Sequence, residues 1–132
     1  MNISIIDKQI KESNGNGRYY LEITLSENAD YLWQQSFQEA IKTEIFTSMR
    51  GSGAPVVTNL NFDDDKIITP SFPEYAQNDL PDFIKELEHF ISIANSIYES
   101  KQVRIRQKQE REEKDKQDRI RKLEEMNKKL NS

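Results

Sequence analysis

The most restrictive feature of this sequence is its last quarter, the stretch RIRQKQEREEKDKQDRIRKLEEMNKKL from Arg104 to Leu130. Fewer than a fifth of these residues are apolar, so the segment cannot build a hydrophobic core of its own. It contains no Gly and no Pro, and it consists mainly of strong helix formers. We therefore predict that it is a solvated helix.

The spacing of charges supports this helix. Opposite charges lie four residues apart in eleven places, whereas like charges do so once, at Arg104 and Lys108. Each favourable pair contributes about 0.2–0.5 kcal/mol to a helix. This is enough to extend a helix that has already nucleated near residue 81, because propagation costs far less than nucleation.

One helix from Pro81 to Asn131 would be about 75 Å long. A body of 100 residues has a radius of gyration of only about 13 Å. We therefore predict two parts, a compact body of residues 1–100 and a charged helical extension of residues 101–132 that projects from it.

Charge is distributed unevenly between these two parts. Residues 1–100 contain 7 Lys and Arg against 16 Asp and Glu, a net charge of −9. Residues 101–132 contain 12 Lys and Arg against 7 Asp and Glu, a net charge of +5. Such asymmetry indicates a partner for one part or the other, although both could be ordinary solvated surfaces.

The body begins with a predicted β-hairpin. Residues 2–10 mix isoleucines with polar residues, and residues 13–17 (SNGNG) are typical of a turn because Asn and Gly tolerate positive φ. Residues 18–25 alternate in the manner of a half-buried strand. One face of this second strand is predicted to carry Tyr19, Leu21, Ile23 and Leu25.

An amphipathic helix is expected next. Ser26, Asn28 and Asp30 are candidate caps for its start, and Gly51 is a candidate cap for its end. Its apolar side chains recur every fourth residue, as is typical of a helix with one buried face. They are Trp33, Phe37, Ile41, Ile45 and Met49.

Two further strands are predicted, from Val56 to Phe62 and from Ile67 to Phe72, joined by a turn at residues 63–66. The first should place Val56, Thr58, Leu60 and Phe62 on one face. Pro70 makes the second irregular, or confines it to a sheet edge, because Pro cannot donate a ladder hydrogen bond. Residues 73–79 are predicted to be a loop.

The last helix is predicted to start near Pro81, a residue that suits a first helical turn. Its first half should pack on the body through one broad apolar stripe, composed of Phe83, Ile84, Leu87, Phe90, Ile91, Ala94, Ile97 and Tyr98. The predicted fold class is therefore α+β, in the order ββαββα. We expect a small antiparallel sheet, one amphipathic helix and the long C-terminal helix.

Composition limits the cellular compartments and the kinds of chemistry that are expected for this chain. There is no Cys, which excludes disulfides and thiolate chemistry and fits a reducing compartment. The first residues lack the basic and apolar regions of a signal peptide, and no apolar run reaches the length of a membrane span. We expect a cytoplasmic protein that has no membrane association and no cofactor.

The far end of the long helix is the predicted partner-binding site. Ile120, Leu123, Asn127 and Leu130 have the a/d spacing of a coiled coil, with Met126 beside them. The segment spans fewer than two heptads, which is too short for a stable coiled coil alone. The alternative is a frayed, exposed helix. The predicted binding residues are Ile120, Leu123, Met126 and Leu130 for docking, with Arg104, Arg111 and Arg119 for charge complementarity.

Three classes of function remain open from the sequence. The leading one is a non-catalytic protein–protein interaction module, an adaptor or inhibitor, that binds a partner protein or a second copy. The second is association with nucleic acid, either by the basic tail or by an acidic body that mimics DNA. The third, a small enzyme, would have to use His89 or the cluster Asp63–Asp65, neither of which forms part of a catalytic or metal-binding motif.

Overall fold

A computed structural model of the chain describes residues 1–43 and 53–132. The chain divides into two compact units, the N-terminal unit Met1–Tyr98 and the C-terminal unit Glu99–Ser132. The strands are β1 (Ile5–Ser13), β2 (Arg18–Leu25), β3 (Asn61–Asp63), β4 (Lys66–Ile68) and β5 (Phe72–Pro73). The helices are α1 (Tyr31–Thr43), a 3₁₀ helix (Glu74–Asp79) and α2 (Leu80–Leu130). The predicted α+β fold, with its antiparallel sheet and long C-terminal helix, is confirmed.

The β1–β2 hairpin forms where the sequence predicts it, although β1 begins three residues later than expected. The turn between the strands needs positive φ, which Asn14 adopts at 54° and Gly15 at 66°. In β2, Leu21, Ile23 and Leu25 are buried and Tyr19 packs partly against them, as the alternation predicts. A β-bulge interrupts β1 between Ile5 and Asp7.

The sheet has the order β1-β2-β4-β3, and β5 also pairs with β2. Pro70 separates β4 from β5, which accounts for two short strands where the sequence predicts one. The chain stays attached to β2 at this point through Thr69. Its N–H donates to the Leu21 carbonyl at 3.1 Å, and its Oγ1 accepts from the Leu21 N–H at 2.9 Å.

The predicted strand from Val56 to Phe62 is wrong in extent, and its predicted facing is wrong at its start. Only residues from Asn61 onward pair in the sheet, because the chain turns before them and the Asn59 N–H donates to the Val56 carbonyl at 3.2 Å. Val57 is buried while Val56 is 44% exposed, the reverse of the predicted facing at this end, whereas Leu60 and Phe62 pack partly against the core as predicted. Residues 74–79, predicted to be a loop, form the 3₁₀ helix.

α1 starts at Tyr31 because Asp30 caps it. The Asp30 Oδ1 accepts a hydrogen bond from the Trp33 N–H at 2.8 Å, so Asp30 is the cap among the three candidates. Trp33 and Phe37 are fully buried and stack with ring centroids 5.6 Å apart, and Phe62 meets both rings edge-on. The predicted apolar residues Ile45 and Met49 and the predicted cap Gly51 lie outside the described residues.

α2 contributes its first nineteen residues to the N-terminal unit. The predicted stripe is confirmed: Phe83, Leu87, Phe90, Ile91, Ala94 and Tyr98 are buried, and Ile84 and Ile97 are partly buried. One core therefore joins the inner face of β2 with α1 and with this part of α2.

Asn95 ties α2 to the chain start and to α1. Its Oδ1 accepts from the Ile3 N–H at 3.0 Å and from the Trp33 Nε1–H at 2.9 Å, while its Nδ2 donates to the Ile3 carbonyl at 2.8 Å.

Candidate protein interaction surfaces

Within the C-terminal unit, residues 119–132 present four large apolar side chains to solvent, which we call the apolar patch. Their exposed fractions rise toward the end of the chain, from 45% at Ile120 through 58% at Leu123 and 65% at Met126 to 80% at Leu130. With 3.6 residues per turn, the four side chains fall within an arc of about 120° on one side of α2. The remaining side chains of this segment are polar or charged, so the patch has a defined boundary.

The helix that carries the patch is closed at its end by local hydrogen bonds. The Asn127 carbonyl accepts from the Asn131 N–H at 3.2 Å and from the Asn131 Nδ2 at 2.9 Å. Lys128 and Lys129 occupy the last turn, where positive charge interacts favourably with the helix dipole. The patch is thereby held on a regular helix up to Leu130.

The predicted arginines are exposed, but they do not all lie at the patch. Arg119 directly precedes Ile120. At a rise of about 1.5 Å per residue, Arg111 lies about 14 Å and Arg104 about 24 Å before Ile120 along the helix. Arg119 can therefore act together with the patch, whereas Arg104 and Arg111 contribute charge farther along the same helix.

A second surface, which the sequence did not reveal, lies in the N-terminal unit between β1 and α2. It is an open groove of about 630 Å³, which we call the β1–α2 groove. Its apolar residues are Ile10, Leu21, Leu80, Pro81 and Ile84, and its polar residues are Lys8, Gln77, Lys85 and Glu88. Four elements contribute to it, so the spacing within any one segment does not predict it.

Ile10 marks the groove at the sheet edge. It lies opposite the buried Leu21 in the β1–β2 register, so its side chain is on the core-facing side of the sheet. Ile10 is nevertheless 52% exposed, since the helices do not cover this edge. The sequence could have indicated Ile10, because pairing the two predicted strands as a hairpin places this isoleucine opposite the buried face of the second strand.

The other face of the sheet carries an ionic triad. The Glu22 carboxylate lies 2.7 Å from Lys11 Nζ and 2.6 Å from Lys66 Nζ, and the Glu22 side chain is 14% exposed. Hydrogen bonds from Lys11 and then Lys66 hold the pKa of Glu22 below its ordinary value of 4.5, although desolvation opposes them. The same contact raises the pKa of Lys66 above 10.5. The triad links three neighbouring strands.

The residues considered for catalysis or metal binding lie at a turn of the sheet and on the exposed surface of α2. Asp64 and Asp65 form the β3–β4 turn, and their carbonyls accept hydrogen bonds from the Ala29 and Leu25 N–H groups at 3.2 Å and 2.7 Å. His89 is exposed on α2 beside Phe90. Within residues 1–43 and 53–132, no group of three or more His, Asp or Glu side chains is arranged to hold a metal ion.

Comparisons with protein-family models, with curated proteins and with solved structures find no match to this chain. None of the helices in the described part of the chain combines the length and hydrophobicity needed to cross a membrane.

Proposed function

We propose that this protein is a non-catalytic protein–protein interaction module whose C-terminal unit docks into a groove on a different protein. The apolar patch is proposed to bind in an apolar groove whose rim is acidic. The observation that carries this proposal is the apolar patch itself, four exposed side chains on one side of a segment, residues 119–132, that is otherwise polar.

The spacing of the patch fits a known mode of recognition. Short amphipathic helices bind grooves through apolar anchors at i, i+3, i+4 and i+7, and they need only a few turns to do so. Leu123, Met126 and Leu130 lie at i, i+3 and i+7 of this pattern, and Ile120 adds a fourth apolar anchor one turn before Leu123. A coiled coil of two copies would be a weaker use of the same residues, because fewer than two heptads bury too little apolar surface.

The positive charge of residues 101–132 favours a partner groove with an acidic rim. Residues 101–132 carry a net charge of +5, and Arg119 lies next to the patch while Arg111 and Arg104 lie farther back. Carboxylates around a partner groove would attract this helix and increase its association rate. Binding should therefore weaken as salt is raised.

A site-specific crosslinking experiment tests the proposal. A photoreactive phenylalanine derivative replaces Leu123 in the full chain, expressed in the cells that make this protein, and a matched variant carries the same group in place of Glu125 on the opposite side of α2. We expect a discrete heterologous adduct from position 123 and not from position 125. The protein identified in this way should then bind the purified chain, and Leu123→Ser should weaken binding about tenfold or more.

Arg121→Ser is the matched binding control, because Arg121 points away from the patch and its loss should change affinity less than threefold. Equal adducts from positions 123 and 125, or unchanged binding in Leu123→Ser, would contradict the proposal. An adduct of twice the mass of the chain would identify a second copy as the occupant and would overturn the assignment to a different protein.

A further inference from the structure

The outer edge of β1 is open. β1 is the end strand of the sheet order, and no other strand among residues 1–43 and 53–132 pairs with its outer edge. The bulge at Ile6 limits the regular part of this edge to Asp7–Ser13, a segment whose central residue is Ile10. A long open edge is a template for pairing with another chain unless it is blocked.

The hydrogen bonds of β2 show which β1 groups point outward. Leu21 directs its N–H and carbonyl toward Thr69, on the side of β2 away from β1. Ile10, which lies opposite Leu21, therefore directs its own N–H and carbonyl away from β2 and toward the open edge. The alternation of an antiparallel ladder gives Lys8 and Glu12 the same direction.

The side chains of these three residues share one face. Lys8, Ile10 and Glu12 lie opposite Ile23, Leu21 and Tyr19 respectively, so all three are on the core-facing side of the sheet. Within the described part of the chain, neither Lys8 nor Glu12 lies within ion-pair distance of an opposite charge. The edge thus offers a cation, an apolar residue and an anion at alternate positions.

We propose that β1 pairs with β1 of a second copy, antiparallel and in register, so that Ile10 lies opposite Ile10 of the second copy. This arrangement is self-complementary, because Lys8 then lies opposite Glu12 of the second copy and Glu12 opposite its Lys8. Each of the three opposed pairs exchanges backbone hydrogen bonds through groups that already point outward. The result is one continuous sheet with a two-fold axis, the usual symmetry of a homodimer.

Neighbouring registers do not place Lys8 opposite Glu12. Centring the pair on Lys8 would place two lysines opposite each other, and like charges directly opposite each other are destabilising. Centring it on Gln9 would place Lys8 opposite Ile10 and would bring the bulge at Ile6 into the ladder. The register centred on Ile10 uses the whole regular edge from Asp7 to Ser13.

The β1–α2 groove borders the proposed interface. It opens at Ile10, and its apolar wall is formed by Leu80, Pro81 and Ile84. In the proposed dimer, Ile10 of the second copy lies at the mouth of this groove and covers apolar surface that is otherwise exposed. The inference does not depend on the C-terminal unit, although dimerisation would give each assembly two apolar patches.

Charge reversal in the full chain tests the register. Sedimentation equilibrium at concentrations from micromolar to several hundred micromolar should give a reversible dimer for the natural sequence. Lys8→Glu and Glu12→Lys each place like charges at both ends of the paired strands and should raise the dimer dissociation constant about tenfold. The double variant Lys8→Glu/Glu12→Lys restores both pairs and should return within about threefold of the natural value.

Three controls separate this result from other effects. Lys42→Glu makes the same charge change at an exposed position on α1 and should leave the dissociation constant unchanged. Ile120→Ser/Leu123→Ser should also leave it unchanged, which distinguishes this interface from the apolar patch. Far-ultraviolet circular dichroism verifies that each variant is folded. A chain that remains monomeric throughout, or a double variant that does not recover, overturns the proposal.

A second measurement does not depend on any variant. The amide hydrogens of Lys8, Ile10 and Glu12 should exchange more slowly with solvent as protein concentration rises, because these three groups form the new ladder. The amide of Gln9, which points toward β2, should show little dependence on concentration. Exchange of the Lys8, Ile10 and Glu12 amides at the same rate across the concentration range would count against the proposed pairing.

Discussion

At the scale of single residues, Asn95 joins three separate parts of the N-terminal unit, the chain start, α1 and α2. One amide group completes hydrogen bonds for the backbone of Ile3 and for the indole of Trp33, which are 2% and 0% exposed. The buried Ile3 and Trp33 groups have little access to water, so they depend on Asn95. Polar groups that lose a partner in such surroundings cost about 1–3 kcal/mol each.

Asn95→Ala should therefore destabilise the protein by about 2–3 kcal/mol, measured as the free energy of unfolding in urea. Ser96→Ala on the exposed side of the same helix turn is the matched control and should remain within about 0.5 kcal/mol of the natural sequence. A decrease in the free energy of unfolding below about 0.5 kcal/mol for Asn95→Ala would mean that water replaces the amide. The Asn95 hydrogen bonds would then not stabilise the N-terminal unit.

The sequence did not identify Asn95, and the reason is physical. Its partners lie 62 and 92 residues away, and nothing in the local pattern of α2 distinguishes this asparagine from any other polar residue near the apolar stripe. Asp30 is the opposite case. Its role as a cap follows from its position just before a periodic apolar run, and the structure confirms it.

At the scale of elements, the prediction agrees with the structure where the pattern within one segment is enough to specify that element. β2 has the predicted bounds because alternation over eight residues specifies both the strand and its buried face. The buried stripe of α2 is predicted equally well by its helical period. Val56–Phe62 also alternates, yet most of it does not pair, because alternation cannot show whether a neighbouring strand is available.

Strand order and the β1–α2 groove could not be predicted for a related reason. β2 receives β1 on one edge and both β4 and β5 on the other, which depends on how Thr69 bridges the break at Pro70. The groove needs β1, β2, the 3₁₀ helix and α2 in place before it exists. The apolar patch, in contrast, lies within one helix, so local spacing was enough to name Ile120, Leu123 and Leu130, with Met126 as their neighbour, and all four are exposed.

The ionic triad gives the sheet a defined dependence on pH. Because the folded pKa of Glu22 lies below 4.5, its stabilising contribution is fully present above pH 4.5 and is lost as pH falls through the lower folded value. Because the folded pKa of Lys66 lies above 10.5, the Lys66 contribution is present below pH 10.5 and is lost as pH rises beyond it.

Glu22→Gln should therefore lower stability by a constant amount between about pH 4.5 and pH 10.5, and the difference from the natural sequence should shrink outside that range. Urea unfolding at a series of pH values measures this difference. Glu110→Gln, an exposed carboxylate of the C-terminal unit, is the control and should show no such plateau. A difference that stays the same at pH 3 and pH 7 would assign the effect to packing, not to charge.

At the scale of the whole molecule, the two units have different sources of stability. The N-terminal unit contains the entire described core, whereas every residue from Arg104 to Ser132 is exposed. Helix in the C-terminal unit is held by intrinsic propensity and by weak exposed contacts, such as the Gln117–Glu113 hydrogen bond at 3.2 Å. Regions without buried contacts open at the low end of the range of local stabilities.

Lys116→Gly should therefore lower helix content without destabilising the core. Gly is less favourable than Ala by about 1 kcal/mol in a helix interior, a large cost for a segment with no packing to offset it. We expect a smaller circular dichroism signal at 222 nm. The unfolding midpoint reported by the fluorescence of the fully buried Trp33 should stay unchanged. Gln109→Ala, which favours helix at an exposed position, should raise the 222 nm signal and also leave the Trp33 midpoint unchanged. A Trp33 midpoint that moves together with the helix signal in Lys116→Gly would show that the core depends on the C-terminal unit, because a perturbation confined to a separate unit cannot shift the unfolding of the other.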